Sequence, residues 1–209
     1  VLDWYFLTFF GDSMLLLPCS FILFVVLVVP RATRTAGWQW ALIFGSAGAV
    51  VCVSKLAFMG WGIGIESYDF TGFSGHSALA ASIWPVFLWT LTGRFSHAVR
   101  SMALVFGLVL PLTIGLSRLA IQVHSPSEVV SGLVLGYLAS TLFLLLQRGK
   151  VRPQLSWPRI IAALALPLAL MGNRQPAPTQ GLLEHIAVTL AHIEHPYTRA
   201  DLHKHVTAP

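Results

Sequence analysis

Long apolar runs joined by short loops limit what this chain can become. They cover about residues 14–29, 38–61, 77–91, 102–116 and 126–146. A helix crossing a bilayer needs about 20 apolar residues, with about 17 at the low end. A sixth run at 160–171 is shorter and interrupted by Pro167. With residues 155–157 included it comes near the lower limit, which predicts a sixth span. Ahead of the first run, residues 2–10 carry Trp4, Tyr5, Phe6, Phe9 and Phe10, a composition suited to headgroup depth. No basic region precedes that run, which predicts a retained span and not a cleaved leader.

Composition agrees with the runs. Only 10% of the 209 residues are charged, against roughly 25% in a soluble domain. The expected fold is all-α, a polytopic membrane bundle of five to six spans. Residues 1–172 form the membrane-embedded part and 173–209 a Pro-rich linker with a tail. In the tail, Leu182, Leu183, Ile186, Leu190 and Ile193 recur at helical spacing, predicting an amphipathic surface helix. Glycines 45, 48, 60, 62 and 64 offer close helix contact around the second run. The chain shows no internal repeat. Cys19 and Cys52 both lie in apolar runs and read as packing residues, not as a disulfide or metal pair. The net charge of +5 is spread over helix ends and forms no stripe, so nucleic acid is a poor partner.

The basic residues instead report orientation. Arg31/Arg34, Arg94/Arg100 and Arg148/Lys150/Arg152 follow the first, third and fifth runs. These loops share one side, and the positive-inside rule makes it the cytoplasm. The opposite, outward face then collects three polar pieces distant in sequence: Lys55, the stretch Phe73-Ser74-Gly75-His76, and the island from Ser117 to Glu128.

Together these pieces suit phosphate chemistry. Lys55 and Arg118 supply positive charge, and a guanidinium forks well onto phosphate oxygens. Ser74 and the amide of Gly75 precede the third run, where unpaired N–H groups and the helix dipole favour an anion. His76 and His124 offer two imidazoles: one attacks phosphorus, and the other, protonated, serves the leaving oxygen. Glu128 has two readings. It can orient the attacking ring, or it can be the N3 residue of a capping box that begins at Ser125 with Pro126 at N1. No arrangement of Asp, Glu and His has convincing metal-ligand spacing, and fixed cations can stabilise the transferring group, so no metal or cofactor is expected.

On these residues the chain resembles the type 2 phosphatidic acid phosphatase superfamily, which includes vanadium-dependent haloperoxidases. That family's motifs are K-x6-R-P, P-S-G-H and S-R-x5-H-x3-D. The third appears as Ser117-Arg118, His124 and Glu128, the second as Phe73-Ser74-Gly75-His76, and the first as Lys55 alone, with Gly62-Ile63 where Arg-Pro is expected. The resemblance covers about residues 38–147. It implies that His124 is the nucleophile, His76 the general acid, and Lys55, Ser74, Gly75 and Arg118 the phosphate ligands. It also implies a metal-independent phosphatase of the bacterial inner membrane. On this reading the active site is expected to face the periplasm, and the expected substrate is a lipid-linked phosphate or diphosphate such as phosphatidate, phosphatidylglycerol phosphate, polyprenyl (undecaprenyl) diphosphate or a lipid A phosphate.

The departures bear on function. Losing the first-motif arginine removes a phosphate contact, and Glu128 is one methylene longer than the family's Asp. The alternatives are a non-catalytic lipid-phosphate binding or transport protein on the same fold, and a phosphotransferase in which a second acceptor replaces water. A haloperoxidase fits least, because the site lies at the ends of membrane spans. Other polar residues read as bystanders: Glu66 and Asp69 as solvated loop carboxylates, His97 as a solvated or headgroup contact. The tail histidines 185, 192, 195, 203 and 205 lack the carboxylate or cysteine partners of a metal site.

Overall fold

The computed structural model describes residues 3–171 and 179–204. These form an all-α bundle. Of the linker expected at 173–180, residues 173–178 lie outside the described residues, as does His205, and Thr179 and Gln180 belong to a helix. Asp3 caps α1 (Trp4–Phe9), its carboxylate accepting from the amides of Tyr5 and Phe6. Asp12 caps α2 (Ser13–Val28) through Met14 N–H. A single 3₁₀ turn leads into α3 (Arg34–Trp61), which Gly62 ends at φ 68°. A left-handed residue closes a helix well, and glycine adopts that conformation without a Cβ penalty. The bundle continues with α4 (Gly75–Leu91), α5 (His97–Ala120) and α6 (Pro126–Leu146). It ends with α7 (Trp157–Met171), α8 (Thr179–Ala191) and the short α9 (Arg199–Leu202).

Four stretches among the described residues are long and apolar enough to cross a membrane: Trp4–Val28, Arg31–Trp61, His97–Ala120 and Pro126–Leu146. Their outward faces show Phe21, Leu42, Val53, Met102, Phe106 and Leu138, as lipid contact requires. The third run becomes α4, which is 17 residues long and mostly buried. It runs through the middle of the bundle against α5, α6 and α2. That position explains its small and hydroxylated residues (Ser77, Ala78, Ala80, Ala81, Ser82), all of which are buried.

Close approach to α4 falls to glycines other than those around the second run. A Cβ on Gly136 would press on the Ala78 carbonyl and stand 2.7 Å from Ala81 Cβ, and one on Gly132 would stand 2.7 Å from the Ser74 carbonyl. On α5, Gly107 does the same at Pro85, 3.0 Å from its Cα. Gly45 and Gly48, by contrast, have nothing within 4 Å of where a Cβ would point. They recess a wall of the cavity described below and contact no neighbouring helix.

The end away from the site is tied by aromatic and basic groups. Arg94 lies 5.2 Å from the Trp157 ring centroid and Arg152 lies 5.7 Å from that of Trp89. The start of α7 therefore sits beside the α4–α5 loop. Beyond α7, the tail is found at the other end of the bundle, where α8 packs on α3 with Ala187 against Phe58 and Met59. The helix expected on a surface is thus docked through Leu183 and Ala187, while Leu182 and Leu190 of the expected apolar stripe stay exposed. α7 itself lies beside α2. At 15 residues, the helix of the expected sixth span is shorter than the four stretches long enough to cross a membrane.

Candidate active site

The polar pieces meet at the end of the bundle where α3, α5 and the tail converge. Glu128 is their anchor. It is wholly buried at the third position of α6, and a buried carboxylate is tolerated only when its oxygens are satisfied. Oε1 accepts from Thr71 N–H at 2.8 Å and from the Thr71 hydroxyl at 2.5 Å. Oε2 accepts from His124 Nδ1 at 2.7 Å, Ser125 N–H at 3.2 Å and Arg199 Nη2 at 2.8 Å. The Ser125 contact closes a capping box, with Ser125 Oγ accepting from Glu128 N–H. Both readings of Glu128 therefore hold at once: it caps α6 and it binds the His124 ring.

Binding Nδ1 leaves Nε2 as the ring nitrogen with no hydrogen bond among the described residues. His124 lines a cavity of about 1120 Å³ together with Lys55, Gly75, His76 and Arg118. Burial holds the imidazole below its ordinary range. Lys55 and Arg118 push the same way, and the bond and charge of Glu128 oppose them.

The second imidazole comes from α4 and meets a carboxylate that the sequence did not single out. Nε2 of His76 lies 3.5 Å from Asp12 Oδ2. Asp12 reaches it because α1 docks on α5, with Thr8 Oγ1 2.7 Å from Ser117 Oγ, and because Gly11 fits beside His76 and Ile114. Trp84 Nε1 donates to the Phe10 carbonyl at 2.9 Å and holds the turn.

The expected cations are present and differ in their partners. Arg118 lines the cavity, and its buried Nε has no hydrogen-bond partner among the described residues. Lys55 Nζ donates to Gln180 Oε1 of α8 at 3.2 Å. Gly72, at φ 142°, lets the loop between α3 and α4 lie against the Lys55 backbone, a Cβ there meeting Lys55 Cα at 3.3 Å. Gly75 opens α4 towards the cavity, and no side chain caps that helix start.

Ser74 differs from the expectation of a phosphate ligand. It is wholly buried and does not line the cavity; its hydroxyl accepts from Ser77 Oγ at 3.0 Å and its N–H donates to the Glu128 carbonyl at 3.0 Å. The close approach of α6 at Gly132 turns the residue into a joint between α4 and α6. Asp69 is also not a free loop carboxylate, since it pairs with Arg199 and with His203, the latter at 2.9 Å. No group of three or more His, Cys, Asp or Glu among the described residues could hold a metal ion.

Thr71, Asp12 and Arg199 are the contributors missed in sequence. Thr71 lies close to the second motif, and a hydroxyl there was a weak signal. Nothing local marks Asp12 or Arg199.

The cavity has two characters. Near the histidines it is polar. It then follows α3 from Phe58 through Val51 to Gly45 and Phe44, opposite Leu17 of α2 and Ala78 and Leu79 of α4. That apolar arm spans roughly 21 Å of α3 at 1.5 Å per residue.

A family profile described as the PAP2 superfamily matches residues 37–152, more than half of the chain. A protein of Klebsiella pneumoniae described as an uncharacterized 22.5 kDa protein in cps region is 49% identical over 206 residues, spanning 97% of this chain and 99% of that protein. No solved structure matches the chain.

Proposed function

For a chain that belongs to the PAP2 superfamily, and so to a phosphatase-related family, we propose the hydrolysis of a lipid-linked phosphate or diphosphate at the outward, periplasmic face of a bacterial inner membrane. The reading is carried by one observation. His124 is held through Nδ1 by a buried carboxylate 2.7 Å away, its other nitrogen has no hydrogen bond among the described residues, and the residue lines a cavity with Lys55, Arg118 and His76.

In this reading the phosphate sits between Lys55, Arg118 and the Gly75 amide at the start of α4. His124 Nε2 attacks phosphorus as the bond to the leaving oxygen breaks, and His76 gives that oxygen its proton. The proton on Nδ1 stays with the ring, hydrogen-bonded to Glu128, which stabilises the positive phosphohistidine. Water then attacks phosphorus, His76 takes its proton, and inorganic phosphate leaves with His124 restored. Asp12 gives the proton on His76 a partner through both steps. Lys55 and Arg118 offset the phosphoryl charge throughout, which is the work a metal does elsewhere. The apolar arm supports a lipid substrate: a headgroup at His124 leaves its tail to lie along α3.

The test is phosphate release in detergent from a panel of lipid phosphates and diphosphates, with chelator present. Activity is expected to survive chelator, to vanish in His124→Ala, and to fall about 10²–10⁴-fold in kcat in Glu128→Gln, because an amide cannot serve all five donors and no longer fixes the ring. Wild-type protein that binds a lipid phosphate but releases none would sink the hydrolase reading and favour a binding protein.

A further inference from the structure

The glycine at position 62 and the docked tail meet at one place. A Cβ on Gly62 would lie 3.3 Å from the Tyr197 ring, so the residue that replaces the first-motif arginine leaves the floor on which Tyr197 rests. Tyr197 N–H donates to the Met59 carbonyl at 2.9 Å and fixes the chain there. Two residues on, Arg199 reaches across to the loop before α4 and to the start of α6. Its Nη1 donates to the Asp69 carbonyl at 2.9 Å and to the Asp69 carboxylate. Asp69 is held at φ 48°, a conformation that Asp tolerates better than most residues, and so turns both acceptors to one guanidinium. Nη2 donates to Glu128 Oε2 at 2.8 Å, and that same oxygen takes His124 Nδ1 at 2.7 Å.

We propose that Arg199 is a positioning residue for His124: carried in by the docked tail, it completes the donor set of Glu128 and fixes the oxygen that orients the ring. The proposal rests on the reading of His124 as nucleophile. A carboxylate oxygen shared by three donors cannot swing about its terminal torsion without breaking all of them, so the Nδ1 bond keeps its direction. Arg199 also offsets the charge of Glu128, which then pulls less on a proton at His124. The charged and titratable groups facing that ring are Lys55 from α3, His76 from α4, Arg118 from α5 and Glu128 from α6, with Arg199 acting through Glu128. Arg199 lines the cavity as well, but its terminal nitrogens bind Asp69 and Glu128, and the bond to Glu128 is the one that leads to His124.

The test compares wild type with Arg199→Gln, which keeps a donor but no charge, and Arg199→Lys, which keeps the charge, in the full-length chain in detergent. Histidine-selective ¹⁵N NMR, with the His124 signal identified by its loss in His124→Ala, reads the protonation midpoint of the ring without turnover. Initial rates on whichever panel lipid the wild type hydrolyses give kcat and KM. Arg199→Gln is expected to raise the midpoint by about half a pH unit or more and to lower kcat about tenfold or more with KM within about threefold, the pattern of lost transition-state positioning. Arg199→Lys should recover most of both. An unchanged midpoint overturns the proposal, including when kcat falls, since a merely structural bond would do that. A wild type that hydrolyses nothing overturns the phosphatase reading, while the ring midpoint still decides the role of Arg199.

Discussion

Replacing Gly48 by phenylalanine places an aromatic ring inside the apolar arm without forcing the backbone. Nothing lies within 4 Å of where its Cβ would point, and Gly48 lines the cavity with Gly45 and Phe44. The added ring takes the space of roughly three methylenes of a bound tail, at ~0.8 kcal/mol each. The expected loss is therefore about 2.5 kcal/mol, or roughly 70-fold in kcat/KM, for a substrate whose tail fills the arm. A substrate with the same phosphate headgroup and a tail too short to reach Gly48 should lose no more than about threefold, since the histidines are untouched. The assay is kcat/KM for such a pair in one detergent, with thermal unfolding to confirm an intact fold. Equal losses on both substrates, or none on either, would refute the idea that the arm holds the tail.

Two further outcomes follow from the geometry. Lys55→Met removes a cation that disfavours the charged ring, so the His124 pKa rises towards its ordinary value; the ring is then protonated at a higher pH, and the acid limb of the kcat/KM profile moves up in pH. Gly136→Ala drives a methyl into the Ala78 carbonyl and the Ala81 Cβ of α4, and about 1–3 kcal/mol of stability should be lost in thermal unfolding, whereas Gly45→Ala, with open space around it, should leave the midpoint almost unmoved.

Much of this arrangement can be read from the chain. Hydropathy locates the helices, because lipid contact demands uninterrupted apolar surface and the basic loops mark one end. The spacing of Ser117, Arg118, His124 and Glu128 places guanidinium, imidazole and carboxylate at a helix junction, where the structure brings the last two into contact. What escapes is whatever depends on which helices touch. Gly45 and Gly48 looked like contact residues, yet small size only permits an approach, and here it leaves space. Ser74 looked like a ligand because a helix start favours anions, but Gly132 lets α6 close over it. Asp12 and Arg199 lie 64 and 71 residues from their partners His76 and Glu128, and no periodicity or motif spans such distances. Only the docking of α1 on α5, and of the tail on α3, brings them in.

Glu128 gives the bundle a property beyond its geometry. The residue that closes the first turn of α6 is also the one to which the nucleophile, Thr71 and the tail are attached, so helix nucleation and site assembly are a single cooperative event. Fraying at the start of α6 would therefore release the contacts of the site as well, since Glu128 holds both. A ligand that draws on His124 acts through Glu128 on the first turn of the helix that follows, and amide exchange at the head of α6 becomes a gauge of occupancy.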